Sequence, residues 1–232
     1  SLIWENRYDR TLTLPKTLKH STVIKEFCGA DFNQGNPRFS GVAVPVFSLR
    51  SGTSHGVGDF GDLKKLADWA GTNGLSVIQL LPINDTTAFL TWRDSYPYNC
   101  ISTLALHPLY INLEATGILQ DEKLRKQLQQ EGDQLNAKDA LDYDGVWKSK
   151  MKYLKAIYAQ EKENSFAQPE FFSFVKKNRE WLLPYAVFSA LRDSYGTADF
   201  RDWGQYSTFS WELIEKMASK ESPLYTDVYF WI

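Results

Sequence analysis

Residues 41–113 constrain the fold more tightly than any other stretch of the chain. An apolar run, Val42-Ala43-Val44-Pro45-Val46-Phe47-Ser48-Leu49, opens into the glycine-punctuated Ser54-His55-Gly56-Val57-Gly58-Asp59-Phe60-Gly61. A second apolar run, Val77-Ile78-Gln79-Leu80-Leu81-Pro82-Ile83, follows. Between them Leu63, Leu66, Ala67 and Ala70 recur at i, i+3, i+4 and i+7, which predicts a helix over 62–72 with one apolar stripe. Asp59 or Asp62 supplies its N-cap, and Gly74 sits where a left-handed residue ends a helix. The flanking runs are continuous rather than alternating, the pattern of strands buried on both faces of a parallel sheet. Pro45 argues against a central strand, because it removes a ladder donor. Strand, helix and parallel strand make a right-handed crossover, and such units carry function in the loops at their strand C-termini. Those loops are residues 50–58 and 84–99.

Four pieces in this order resemble one family. They are Ser54-His55-Gly56-Val57-Gly58-Asp59-Phe60-Gly61, Gln79-Leu80-Leu81-Pro82-Ile83, Asp94-Ser95-Tyr96-Pro97-Tyr98 and His107-Pro108-Leu109-Tyr110. Together they resemble the start of the catalytic barrel of the 4-α-glucanotransferases, the amylomaltases or disproportionating enzymes of glycoside hydrolase family 77. The usual bacterial form of the third piece is Asp-Ser-Pro-Tyr. The additional Tyr96, and Asn84-Asp85-Thr86-Thr87, look like the branch that includes the plant cytosolic enzyme.

The resemblance implies an α/β fold: the N-terminal part of a (β/α)₈ TIM barrel with a mainly helical insertion after the second strand. It divides the chain into the end of a starch-binding module (1–10), a linker (11–40), the first βαβ unit (41–113) and a truncated helical insertion (114–232). It implies glucan disproportionation through a covalent glycosyl-enzyme, with an Asp nucleophile, a Glu acid/base and a third carboxylate. All three are expected beyond Ile232, so no catalytic residue is expected in this chain. Tyr98 matches the tyrosine that packs on the sugar beside the scissile bond. Asp94 and Ser95 match the polar pair before it, and Trp92 an aromatic lining a further glucan contact. At the N-terminus, Trp4 matches the sugar-stacking tryptophan of the module's last strand. Packing against a neighbouring surface is the preferred reading there, and Asp9-Arg10 replaces the family's Asn-Arg.

The residues themselves support a sugar-binding loop. Sugars present C–H faces to aromatic rings and hydroxyls to planar polar groups. Trp92, Arg93, Asp94, Ser95, Tyr96 and Tyr98 offer both kinds of group within one short segment. Asp85 and Asp94 also follow the second run, so a different barrel enzyme using them as its carboxylate pair is a rival; turn-capping or hydroxyl binding is the preferred reading. His55 reads as an exposed loop histidine and His107-Pro108 as structural.

Beyond residue 113 the pattern is helical. Residues 121–130 suit a solvated helix. Residues 145–163 suit an amphipathic one, with Trp147, Met151, Leu154 and Tyr158 on one face and Asp144 as cap. Pro169 starts a helix and Pro184 another, ending near Gly196. Ser210 caps 211–218, and Ser222-Pro223 caps a last turn leading into 224–232. The final Val228-Tyr229-Phe230-Trp231-Ile232 has no cap, glycine or polar tail, which reads as an element cut part-way with unpartnered apolar surface. Residues 21–27 suit one strand in the linker.

Composition narrows the classes. With 43% hydrophobic residues the chain has enough apolar side chain for a core, and a net charge of -2 leaves no nucleic-acid or acidic-membrane footprint. No apolar run approaches a membrane span, and the N-terminus has no signal-peptide pattern. Cys28 and Cys100 read as reduced thiols of a cytoplasmic protein. His20, His55 and His107 lack metal-ligand spacing, so neither metal nor cofactor is expected. The expected partners are α-1,4-glucans, maltose or malto-oligosaccharides, and the remainder of the parent barrel. A glucan-binding or scaffold protein without activity is the alternative.

Overall fold

The computed structural model describes residues 39–232. Trp4, Cys28, the strand expected at 21–27 and nearly all of the linker lie outside the described residues.

Strand β1 (Gly41–Val44) pairs in parallel with β2 (Val77–Leu80), Gly41 opposite Val77 and Val44 opposite Leu80. Helix α1 (Phe60–Thr72) makes the crossover. The alternatives for its cap resolve into one device. Asp59 accepts hydrogen bonds from the Gly61 and Asp62 N–H groups, and the Asp62 carboxylate accepts from the Asp59 N–H, closing a capping box. Gly74 takes its expected left-handed conformation, φ 71°.

Both strands are shorter than the apolar runs. After Pro45, Val46–Ser48 turn as a 3₁₀ helix and Val46 enters the core. Gly58 packs under this turn, where a Cβ would lie 2.2 Å from the Val46 carbonyl oxygen. The expectation of strands buried on both faces is corrected. Among the described residues each strand pairs only with the other, and their side chains alternate between exposed and half-buried.

The helices carry the core. They are α2 (Glu122–Asn136), α3 (Tyr143–Phe166), α4 (Pro169–Tyr195), α5 (Trp211–Met217) and α6 (Tyr225–Trp231). Four expectations change. Asp142, not Asp144, caps α3, its carboxylate accepting from the Gly145 N–H at 2.9 Å. Pro184 does not begin a helix but lies inside α4. Ser222 accepts from the Leu224 N–H at 3.1 Å, yet α6 begins only at Tyr225. The C-terminal residues are not unpartnered: α6 docks on α4, with Val228 and Trp231 buried. The Trp231 indole N–H also donates to Asp193 at 3.0 Å.

One main core joins Val46, Val57 and Tyr110 to Val146, Trp147 and Leu154 of α3 and Leu183, Ala186 and Val187 of α4. A smaller one, Leu119, Leu128 and Ile157, ties α2 to α3. His55 is not an exposed loop residue. Its ring lies on Gly132 of α2, where a Cβ would come within 2.4 Å, and its Nε2 is 2.8 Å from Ser149 Oγ. Ser149 gives its only proton to Glu131, 3.0 Å away, so His55 Nε2 is the donor. Burial, and then the Lys150 charge, lower the His55 pKa to about 4.

Two outcomes follow. Trp231→Ala is expected to cost about 3 kcal/mol of stability, read by urea unfolding, because it removes a large side chain from the α4–α6 contact. For His55, the unfolded chain takes up a proton near pH 6.5 that the native chain refuses until about pH 4. Its contribution to stability is therefore full above 6.5 and falls as pH drops, by about 2 kcal/mol between pH 7 and 5. His55→Gln should show a smaller loss over that interval; an identical pH slope would count against it.

Candidate functional site

The loop after β2 is closed at its base by backbone pairing. Asn84 bridges antiparallel to Leu106, Asp85 N–H donates to the Ala105 carbonyl at 3.0 Å, and His107 N–H donates to that of Ile83 at 2.9 Å. The Asn84 side chain adds a bond to the Thr103 carbonyl at 2.9 Å. A polar-rich segment of more than twenty residues is thus held by its two ends.

Within the loop the carboxylates turn inward. Asp85 is fully buried, accepting from the Thr87 N–H at 2.9 Å and from the Tyr185 hydroxyl of α4 at 2.6 Å. Asp94 is 3% exposed and accepts from the N–H groups of Phe89 at 3.0 Å and Leu90 at 2.6 Å. Leu90 has φ 57°, a costly conformation for a branched side chain, and the Asp94 carboxylate is the group that holds it. Burial raises the Asp94 pKa, with those backbone donors pulling against it. Asp85 and Asp94 act as turn holders, the reading preferred over a catalytic pair.

The aromatic residues turn outward. Trp92 is 65% exposed, Tyr96 and Tyr98 each 61%. The Tyr96 and Tyr98 rings lie side by side, centroids 5.5 Å apart and planes at 51°. The Arg93 guanidinium lies 5.0 Å over the Phe89 ring. Thr91 caps the short turn Trp92–Ser95, which packs against α3.

A cavity of about 370 Å³ opens beneath this turn. Trp92, Asp94 and Ser95 line it together with Asn84, Thr86 and Tyr143. The structure thus brings three of the four nominated loop residues around one cavity and sets Tyr98 beside Tyr96 outside its lining. His107 forms the cavity floor as a structural residue. Its Nδ1 accepts from the Leu109 N–H at 3.2 Å, its Nε2 meets the Tyr143 hydroxyl at 3.2 Å, and burial lowers its pKa to about 4.

Residues missed in the sequence lie on α4. Tyr185 reaches Asp85, and Arg192 reaches the carbonyl and hydroxyl oxygens of Thr87. A charged residue directly after the apolar Ala190-Leu191 is the one trace of this in the sequence. Among the described residues no group of three or more His, Cys, Asp or Glu is placed to hold a metal, and no helix is long and apolar enough to cross a membrane. The arrangement can receive hydroxylated rings on exposed aromatic faces; its buried carboxylates are committed to the loop itself.

The glycoside hydrolase family 77 model, described as 4-alpha-glucanotransferase, matches residues 44–232. The chain is 44% identical over 191 residues to a 4-alpha-glucanotransferase DPE2 from Oryza sativa subsp. japonica, covering 82% of this chain and 20% of that protein. It is 31% identical over 164 residues to a 4-alpha-glucanotransferase of Chlamydia muridarum, covering 70% of this chain and 30% of the other. The fold is similar to the crystal structure of amylomaltase from Corynebacterium glutamicum, with a TM-score of 0.60 at 22% identity over 83% of this chain and 26% of that one. The chain therefore spans between a fifth and a third of these relatives' length. With the family match running from the end of β1 through α6, the chain belongs to glycoside hydrolase family 77, the 4-alpha-glucanotransferases.

Proposed function

We propose that this chain supplies a substrate-binding loop of a 4-α-glucanotransferase that moves α-1,4-glucan segments between maltose, malto-oligosaccharides or longer glucans by retaining double displacement. The observation that carries the reading is the division of labour in residues 84–98. Buried carboxylates frame the loop, while Trp92, Tyr96 and Tyr98 stand open to solvent beside a polar-edged cavity. Aromatic faces suit the C–H surface of glucose rings. Ser95 serves the hydroxyls, with Asp94 holding its turn from within; Tyr98 packs on the sugar at the reacting bond, and Trp92 on one further along the chain.

In this reading β1, α1 and β2 are the first unit of a (β/α)₈ barrel, residues 114–232 belong to the helical insertion after its second strand, and the remaining barrel strands cover the open sheet edges. The nucleophile, acid/base and third carboxylate come from that remainder. The two cysteines fit a cytoplasmic setting. A glucan-binding or scaffold role without catalysis is the second reading, favoured by the commitment of Asp85 and Asp94 to internal hydrogen bonds.

Two measurements test this. The 232-residue chain alone is expected to transfer no glucosyl units from maltotriose, since loss of a reaction's essential groups removes on the order of 10⁶ in rate; turnover in a clean preparation would sink the assignment. In the full-length enzyme, Tyr98→Ala should lower kcat/KM on maltotriose by about 10²-fold, because misplacing the reacting sugar costs transition-state energy. Trp92→Ala should matter mainly for long glucans. Equal losses for both variants on maltotriose would contradict the placement.

A further inference from the structure

The outward aromatics stand on a loop whose own hydrogen bonds close only its base and its inner turn. Two side chains of α4, seven positions apart, hold it from outside. Tyr185 donates to Asp85 at 2.6 Å, and Arg192 Nη1 donates to the Thr87 carbonyl and, at 2.7 Å, to Thr87 Oγ1. Arg192 is fully buried. Its Nε and Nη2 donate to one oxygen of Asp193 at 3.0 and 2.8 Å, and Trp231 covers one face of the guanidinium with its ring centre 4.7 Å away. The other Asp193 oxygen accepts from the Trp231 indole N–H at 3.0 Å. The planar fork is thus fixed on two nitrogens and one face, and the third nitrogen is aimed at Thr87. A lysine ammonium could not hold Asp193 through two nitrogens and reach Thr87 as well.

Thr87 lies at the centre of the loop's internal bonding. Its N–H donates to Asp85. Its neighbour Thr86 donates through Oγ1 to the Asp94 carbonyl. The Asp94 carboxylate holds the backbone of Phe89 and Leu90. Asp94 belongs to the turn that carries Trp92 and Ser95. An unbroken chain of contacts therefore runs from the guanidinium to the two side chains that line the cavity rim.

We propose that Arg192 is a positioning residue for glucan binding: it holds Thr87, and through Thr87 and Asp94 it sets Trp92 and Ser95 where a sugar is received, without touching sugar itself. This rests on the function proposed above. A burial cost for an arginine with this much hydrogen bonding is offset only if its partners stay in place, so shifting Thr87 and shifting Arg192 should be felt as one event.

The test uses Arg192→Met, Arg192→Lys, Thr87→Val and Thr87→Ser. In the 232-residue chain, amide hydrogen exchange of Thr87, Phe89 and Leu90 should rise about tenfold in Arg192→Met, while the buried half of α4 keeps its protection. In the full-length enzyme acting on maltoheptaose, KM should rise about tenfold with kcat within threefold, the signature of lost binding shared by ground and transition states. Arg192→Lys should fall between, Thr87→Val should share the KM effect, and Thr87→Ser should match the unchanged enzyme. Faster loop exchange with unchanged KM in both Arg192→Met and Thr87→Val would overturn the role. Loss of protection throughout α4 in Arg192→Met would make it a core residue, and Thr87→Val, which leaves the core intact, would then decide: an unchanged KM refutes the proposal. If the unchanged enzyme neither binds nor turns over maltoheptaose, the function reading falls by that result alone.

Discussion

The long helix α4 is the element on which the other packing depends. It contacts α3, α5 and α6, and it reaches the loop after β2 through Tyr185 and Arg192. It does this while running through Pro184, which removes one N–H and leaves the Glu180 carbonyl without its helical donor. An interior proline costs about 3 kcal/mol. Against that, Leu182, Leu183, Val187 and Leu191 are all nearly inaccessible, and each such side chain contributes about 1.5–3 kcal/mol by leaving water. Packing wins, and the helix continues to Tyr195, where Gly196 ends it in the left-handed conformation at φ 69°.

The same balance explains which parts of the fold were legible in the sequence. Helix α1 was, because its apolar stripe and its capping box are both local. Ser210 was, for the same reason. Pro184 misled because local propensity favours a new helix there and only tertiary burial overrides it. The α3 cap is Asp142 rather than Asp144 through a local contact instead. Gly145 lets the Asp142 carboxylate approach closely, since a Cβ there would lie 2.7 Å from its Oδ2. The docking of α6 was invisible: Val228 and Trp231 look unpartnered until α4 is placed beneath them.

At the candidate site the sequence showed the segment but not the direction of its side chains. Trp92, Asp94, Ser95, Tyr96 and Tyr98 were all nominated, yet nothing local says that the carboxylate turns in and the rings turn out. That depends on Phe89 and Leu90 offering two N–H groups to Asp94, and on Leu90 accepting a positive φ. Arg192 lies 105 residues from Thr87, beyond any pattern of spacing. His55 was misread because Gly132, the residue whose missing side chain makes room for its ring, is also far away in sequence.

This arrangement also explains how the loop keeps its aromatics exposed. Leaving Trp92, Tyr96 and Tyr98 more than half in water forgoes roughly 25 cal/mol for each Å² that folding could have buried. A mobile loop would collapse those rings onto the nearest apolar surface. Here collapse would require pulling Asp94 off two backbone N–H groups and releasing Leu90 from its held conformation. It would also part Arg192 Nη1 from its Thr87 acceptors and the buried Asp85 from Tyr185, at about 1–3 kcal/mol for each buried polar group left unsatisfied. The inward carboxylates therefore keep the outward rings available. A ligand that stacks on them gains their burial without first ordering about a dozen residues, each of which would otherwise cost roughly 1–2 kcal/mol of backbone entropy.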